Sequence, residues 1–143
     1  MSAWNKRLTG FYVAPLLLAL STASLCADTS ARCHYEVLIQ AYNYLAACSV
    51  KISAERYETY KRLRTALKDF INANSSPGRP RMDSAHEESL RERARLLAER
   101  GQCQGETRQF GESIFELWTT EQFATQLLGK LSNPHDPYEG DCL

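Results

Sequence analysis

The positions of the cysteines constrain this chain more than any other feature of its sequence. The chain has five cysteines among 143 residues, and the first of them, Cys26, lies at the end of an apolar N-terminal stretch. This stretch follows the positively charged Lys6 and Arg7, an arrangement typical of a cleavable export signal. Cleavage after Ala27 would remove Cys26 and leave an even number of cysteines. That parity favours Ala27 over the alternative cleavage after Ala23.

The sequence therefore predicts a signal peptide over residues 1–27 and a single helical domain over residues 28–143, long enough for one core. Four cysteines in an exported domain of this size predict two disulfide bonds and a periplasmic or secreted location. Beyond the signal, no segment is apolar enough to span a bilayer, so no stable membrane insertion is expected after cleavage. The four cysteines that remain are Cys33, Cys48, Cys103 and Cys142.

Apolar residues recur three or four positions apart through most of the predicted mature chain, which indicates helices and not strands. The first predicted helix covers residues 31–50 and follows a cap at Asp28, Thr29 or Ser30. The second helix is expected to begin at Ser53.

The third helix is predicted to begin at Ser84, because Glu87 completes a capping box, and to end at Gly101. A fourth helix is predicted over residues 106–131. Thr119 begins a second capping-box pattern, so two shorter helices are an open alternative. The fold class is therefore all-α, most simply an antiparallel four-helix bundle. The apolar side of the last helix would consist of Phe110, Ile114, Leu117, Trp118, Phe123, Leu127, Leu128 and Leu131.

This architecture predicts how the cysteines pair. Cys33 and Cys48 would lie about 22 Å apart along the first helix, at a rise of about 1.5 Å per residue. That separation exceeds the roughly 7 Å between bridged Cα atoms, so the two cannot pair with each other. In an up-down-up-down bundle, Cys48 and Cys103 lie at one end and Cys33 and Cys142 lie at the other. We therefore predict the bonds Cys48–Cys103 and Cys33–Cys142.

The charges of the predicted mature chain are segregated along its length. Removal of the signal would leave 15 basic and 17 acidic residues, a net charge of about −2 that gives no reason to expect nucleic-acid binding. Residues 51–81 carry a charge of about +5, whereas residues 103–143 carry about −5. These segments either face each other or lie on separate faces, or they form a surface that steers a charged partner.

No motif in the sequence indicates catalysis, a metal or a cofactor. The cysteine spacings contain no zinc-ligand pair, and no Gly-x-Ser-x-Gly nucleophile motif occurs. His34 and His86 should begin helices at the same end of the bundle and are expected to face solvent. Glu87 and Glu88 are expected to serve the N-terminal dipole of their helix. We therefore predict no catalytic residue, no metal ligand and no cofactor.

Tyrosine is concentrated in the first two predicted helices, where it is interleaved with basic residues. Tyrosine and arginine are enriched at binding hot spots, so these helices are candidates for a partner surface. The acidic last helix is the alternative. The candidate surface residues are Tyr42, Tyr44, Arg56 and Arg64 on the first surface, and Glu112, Glu116 and Glu121 on the second.

An export signal, a small helical bundle, two disulfides and no catalytic pattern together resemble the class of small periplasmic immunity proteins and inhibitors. The resemblance spans the predicted mature chain and is carried by no specific motif. It implies a non-catalytic protein-binding function, most concretely the neutralisation of a toxin or hydrolase. The alternatives are a periplasmic stress-related or chaperone-like helical protein, and a small secreted all-α enzyme comparable to a chorismate mutase. The oligomeric state is left open.

Overall fold

A computed structural model describes residues 29–100 and 103–142, so the predicted signal peptide and Gly101 lie outside the described residues. The described residues form helices and a single isolated bridge, which confirms the all-α prediction. No helix in these two ranges is both long and apolar enough to cross a membrane. The five helices are α1 (Ala31–Ala47), α2 (Ala54–Asn74), α3 (Ser84–Glu99), α4 (Gly105–Trp118) and α5 (Glu121–Leu131).

The first two helices begin where the sequence predicts. The Ser30 hydroxyl accepts a hydrogen bond from the backbone N–H of Cys33 at 3.1 Å, which selects Ser30 from the three candidate caps of α1. Ser53 caps α2 in the same way, through the N–H of Arg56 at 3.3 Å. The end of α1 comes earlier than predicted, since Cys48 already leaves the helical conformation.

The start of α3 differs from the predicted capping box. Asp83 is the cap, because its carboxylate accepts a hydrogen bond from the backbone N–H of His86 at 2.9 Å. Ser84 is therefore the first residue inside the helix and not its cap. Glu87 consequently has no capping role, and its side chain points into the protein interior, as described below.

The fourth predicted helix is divided into α4 and α5, which selects the alternative of two shorter helices. The Thr119 hydroxyl donates to the carbonyl of Phe115 at 2.5 Å at the end of α4. The next residue, Thr120, caps α5 by accepting from the N–H of Phe123 at 3.3 Å. The N-terminal cap of α5 is thus Thr120, one residue later than the Thr119 that the capping-box pattern predicted.

Helix α1 lies at the centre of the packing. It packs most extensively against α3 and also contacts α2 and α4, whereas α5 packs against α2 and, less extensively, α4. Burial of each large aliphatic side chain stabilises the fold by about 1.5–3 kcal/mol. The side chains buried most completely include Tyr35, Leu38 and Ile39 of α1, Leu63 and Leu67 of α2, Leu90 of α3 and Phe115 of α4.

Both predicted disulfide pairings are confirmed. Cys33 pairs with Cys142 and Cys48 pairs with Cys103, with Cα atoms 5.3 and 5.5 Å apart. The first bond ties the start of α1 to the C-terminal segment, and the second ties the end of α1 to the residues before α4. Two such bonds indicate an oxidising environment outside the cytoplasm.

The segment after α5 closes the end of the molecule where α1 begins. The carbonyl of Pro137 accepts a hydrogen bond from the N–H of Arg32 at 3.0 Å. The Tyr138 hydroxyl donates to the carbonyl of Pro80 at 2.6 Å, in the loop between α2 and α3. The C-terminal segment therefore contacts both the start of α1 and this loop.

Candidate functional site

The tyrosine-rich face between α1 and α2 is largely packed inside the protein. The ring of Tyr42 stacks on that of Tyr60 with centroids 4.2 Å apart, and Tyr60 is buried. Burial raises the pKa of both hydroxyls. Tyr57 is 38% exposed, and the ammonium of Lys61 lies 5.0 Å from the centre of its ring. Of this face, Tyr57 and part of Tyr42 are therefore accessible.

Tyr44 lies in the core and not on the surface where the sequence analysis placed it. It is 4% exposed, and its ring contacts the backbone of α4 at Gly111. A Cβ atom at Gly111 would lie 3.0 Å from Cδ1 of Tyr44, so a residue without a side chain allows α4 to approach α1 this closely. Tyr44 therefore offers almost no exposed surface of its own to a partner.

The charged residues proposed for the surface are mostly engaged within the chain. Arg56 donates to the backbone carbonyl of Glu116 at 2.6 Å and to the Thr119 hydroxyl at 3.2 Å. Glu121 accepts from Arg62 at 2.8 Å. These contacts join the basic segment to the acidic one, as expected if the two segments face each other. Among the candidate residues, they bring Arg56 and Glu116 together.

The two remaining candidates occupy separate places. Glu112 accepts a hydrogen bond from Arg108, one turn earlier on α4, at 2.8 Å. Arg64 lies on α2 and binds the carboxylate of Glu87. The seven predicted residues therefore do not form one continuous patch.

Glu87 is the centre of a charged cluster that joins three helices, which we call the Glu87 cluster. Its carboxylate binds Arg64 and accepts from the Tyr35 hydroxyl at 2.5 Å and from the Lys68 ammonium at 3.3 Å. Its side chain is only 8% exposed. Burial alone would raise the pKa of Glu87, but the hydrogen bonds from Arg64 and Tyr35 outweigh it and lower the pKa to about 2.

This environment decides what Glu87 can do chemically. A carboxylate with a pKa of about 2 and three donors around it is a weak base, and its hydrogen bonds connect α3 to α1 and α2. This role was missed from the sequence because Ser84 and Glu87 match a capping box. The spacing of Glu87, Leu90 and Ala94 was the available signal, since residues three and seven apart share one helix face.

The histidines do not converge and do not both face solvent as expected. His34 is buried, its Nδ1 donates to the carbonyl of Ser30 at 3.0 Å, and its ring centre lies 4.9 Å from that of Trp118. Burial lowers the pKa of His34 to about 4, so it is neutral at pH 7. His86 instead lies 3.0 Å from a carboxylate oxygen of Glu36. In the two described ranges, no three His, Cys, Asp or Glu residues are grouped as metal ligands would be.

One face of α4 exposes large apolar side chains that the sequence analysis assigned to the core. Phe110 is 62% exposed and Leu117 is 53% exposed. The face that α4 buries is adjacent and includes Gly111, Phe115 and Trp118. With its Gly111 face against α1, the helix points Phe110 and Leu117 outward, and Ile114 between them is partly buried against the core. We call these residues, Phe110, Ile114 and Leu117, the α4 stripe.

An open apolar groove of about 180 Å³, the α3–α4 groove, lies beside the α4 stripe. Both α3 and α4 pack on α1, but they are not among the helix pairs that pack closely on each other. Small-molecule pockets usually measure about 300–1,000 Å³, so this groove suits side chains of a larger partner better than a whole small ligand. It is lined mainly by Val37, Gln40, Ala41 and Tyr44 of α1, Leu97 of α3, and Phe110 and Ile114 of α4.

Two apolar surfaces are therefore open to a partner. One combines the α4 stripe with the α3–α4 groove. The other is a shallow hollow of about 380 Å³ between α1 and the start of α2, lined by Tyr42, Tyr57, Val50 and Ile52 among others. The chain matches no protein-family model, no curated protein and no solved structure. Of the two surfaces, the first carries the two most exposed apolar side chains in the described ranges.

Proposed function

We propose that this protein is an exported, non-catalytic protein-binding module of the periplasm, most concretely an immunity or inhibitor protein that neutralises a toxin or hydrolase. The observation that carries the proposal is the α4 stripe. Contiguous exposed apolar surface on a small protein marks an interaction site more often than it serves the fold. The two disulfides support the exported location.

The cross-link between the end of α1 and the start of α4 supports inhibition by surface contact. We propose that α4 and α5 together take the place of the fourth helix in an antiparallel four-helix bundle. The Cys48–Cys103 bond then holds the start of α4, which carries the α4 stripe, against the end of α1 before a partner arrives. A preformed surface loses little conformational entropy on binding, which favours tight and specific complexes. Such a surface can cover the catalytic cleft of a hydrolase or the active face of a toxin.

The same exposed apolar surface favours a second candidate, a stress-related or chaperone-like protein. A chaperone-like protein would bind many unrelated unfolded chains through the α4 stripe, with variable stoichiometry. An inhibitor would bind one folded partner in a fixed ratio. The number of partners therefore separates the two candidates.

Affinity capture from the periplasm with the disulfide-bonded mature chain tests the proposal. We expect one partner in a fixed molar ratio, and we expect one equivalent of the chain to abolish the catalytic or toxic activity of that partner. The variant Phe110→Gln/Leu117→Gln should lose the partner. Tyr57→Gln, which changes an exposed aromatic residue on the other open surface, is the matched control and should retain it.

The other outcomes are equally decisive. Capture of many unrelated proteins would favour the chaperone-like function. Capture of one partner whose activity is unchanged at saturation would remove the inhibitor function while leaving protein binding intact. Capture of no protein by the intact chain would contradict the proposed function as a whole.

A further inference from the structure

We propose that the α3–α4 groove binds an amphipathic helix of the partner, and that this helix carries acidic residues beside its apolar face. The inference rests on the proposed protein-binding function and adds the chemistry of the segment that is recognised. Three observations support it: the shape of the groove, the backbone groups of its walls, which are already hydrogen-bonded within helices, and the charges along α3.

The shape of the surface suits a helix. Phe110, Ile114 and Leu117 are spaced four and three residues apart, so they form one row about 10 Å long at a rise of about 1.5 Å per residue. Phe110 and Ile114 of this row line the α3–α4 groove, with Leu97 on its other side, and Leu117 continues the row by one turn. A partner helix can lay a matching row of apolar residues, spaced i, i+3 or i+4, and i+7, into such a groove.

The backbone around the groove favours a helix over an extended peptide. An extended peptide gains affinity by pairing its main chain with an exposed strand edge. The walls of the groove are α3 and α4, and their backbone groups bond within each helix. An extended occupant would therefore bury unpaired N–H and C=O groups, whereas a helix satisfies these groups internally.

The charges along α3 indicate the sign of the partner. Arg93 and Arg100 are spaced four before and three after Leu97, which places them on the groove side of α3. Neither forms an ion pair with another residue in the described ranges, and both are exposed. By contrast, Arg91 and Arg95 pair with glutamates of their own helix.

The sequence explains this contrast. The residues three and four positions from Arg93 are Ser89, Leu90, Leu96 and Leu97, and those around Arg100 are Leu96, Leu97, Cys103 and Gln104. None of these residues carries a carboxylate, so neither guanidinium can form an ion pair at the i,i+3 or i,i+4 spacing. Carboxylates on a bound helix would supply the missing partners and set its orientation and association rate.

Two synthetic peptides of about 14 residues, four helical turns, test the inference. Both carry leucines at helical spacing, and they differ only in the flanking residues, which are glutamates in one and lysines in the other. Fluorescence anisotropy would measure their affinity for the disulfide-bonded mature protein at about 0.1 M salt, where exposed charges still interact. Two exposed ion pairs correspond to a preference of about tenfold for the glutamate peptide.

Variants of the protein locate the binding site. Arg93→Glu/Arg100→Glu should reverse the preference toward the lysine peptide. Arg95→Glu changes the same residue type on the same helix, but on a face that already pairs with glutamates, and should leave the preference unchanged. Phe110→Gln/Leu117→Gln should weaken both peptides about tenfold or more. Circular dichroism would confirm that each variant stays folded.

Several results would overturn the inference. Equal affinity for the two peptides, or a preference that survives Arg93→Glu/Arg100→Glu, would remove the proposed charge recognition. A concentration-dependent dimer in analytical ultracentrifugation that Phe110→Gln/Leu117→Gln dissolves would show that a second copy occupies the groove. If Tyr57→Gln alone abolished capture of the partner, the α3–α4 groove would not be the binding site, but the proposed protein-binding function would remain. If the intact chain captured no protein, the proposed function itself would be contradicted.

Discussion

The two sides of α1 differ in how completely their side chains are paired or buried. On the side of α2 and α3, the Glu87 cluster gives a buried carboxylate three donors, and in the described ranges every buried side-chain nitrogen or oxygen has a hydrogen-bond partner. On the side of α4, the α3–α4 groove and the α4 stripe leave apolar surface in water. An unpaired buried charge would cost the fold several kcal/mol, whereas exposed apolar surface is tolerated and can be covered later.

The difference separates residues that stabilise the fold from residues that are available to a partner. Changes around the Glu87 cluster and the core should lower stability. Changes in the α4 stripe should lower binding and leave stability nearly unchanged.

The largest effect is expected for the disulfides, which hold the two sides in one structure. The bonds Cys33–Cys142 and Cys48–Cys103 span 109 and 55 residues. If a disulfide acts by constraining the unfolded chain, loops of these lengths predict a loss of about 4–5 kcal/mol for replacing either pair by serine. Urea denaturation would measure both losses.

The two disulfide variants also separate the two regions. Replacement of Cys48 and Cys103 frees the start of α4 and should weaken peptide binding at the α3–α4 groove. Replacement of Cys33 and Cys142, at the other end of α1, should affect that binding less. If replacing Cys33 and Cys142 weakened peptide binding more than replacing Cys48 and Cys103, the Cys48–Cys103 bond would not be what maintains the α3–α4 groove.

The second largest effect concerns pH and His34. Burial keeps the pKa of His34 at about 4 in the folded chain, against an ordinary value of 6.5. Between these values the unfolded chain binds a proton that the folded chain does not. Stability should therefore fall by about 3 kcal/mol as the pH decreases from 6.5 to 4.

The pH profile of the free energy of unfolding measures this effect. His34→Gln should flatten the profile between pH 6.5 and 4. Glu87, whose pKa is lowered to about 2, loses its stabilising contribution only as the pH falls from 4.5 toward 2, so the two windows are distinct. A profile unchanged by His34→Gln would assign the pH dependence to other groups.

A smaller loss is expected when Glu87 is neutralised. Glu87→Gln removes the anion that Arg64 and Lys68 share. Removing one partner of a fully buried pair costs about 3–5 kcal/mol, and the partial exposure of both cations reduces the expected loss to about 2 kcal/mol. The neighbouring Glu88→Gln removes an exposed pair with Arg91 and should cost less than about 0.5 kcal/mol.

Chemical denaturation of both variants at neutral pH provides the comparison. Equal losses for Glu87→Gln and Glu88→Gln would show that the Glu87 cluster does not stabilise the three helices more than a surface pair does.

The smallest effect on stability is expected in the α4 stripe. Phe110→Gln/Leu117→Gln changes two exposed side chains and should shift the free energy of unfolding by no more than about 0.5 kcal/mol per residue. Phe115→Ala on the buried face of the same helix should cost about 3 kcal/mol or more. A large loss from the double variant would mean that the α4 stripe serves the fold.

The sequence predicted the features that depend on local chemistry and on chain connectivity. Ser30 and Ser53 were identifiable as caps because short polar side chains before an apolar repeat satisfy free backbone N–H groups. The cysteine pairing followed from helix length and the direction of successive helices, which need no side-chain detail. The division of the last helix was foreseen as an alternative, since Thr119 and Thr120 interrupt the apolar repeat.

The features that were missed depend on which helix faces meet. Apolar residues cover nearly half of the circumference of α4, so periodicity alone could not decide which of them are buried. The close contact of Gly111 with Tyr44 decides it, and that contact requires the fold. Likewise, the role of Glu87 depends on donors from α1 and α2, up to 52 residues away.

The most direct test of the α4 stripe as the binding surface is a titration of the captured partner with the wild-type chain and with Phe110→Gln/Leu117→Gln, by isothermal titration calorimetry. We predict one-to-one binding by the wild type, an affinity about 100-fold lower for the variant, and the same melting temperature for both chains. An unchanged affinity of the double variant for that partner would show that the α4 stripe is not the binding surface. It would contradict the proposed division between residues that stabilise the fold and residues that bind a partner.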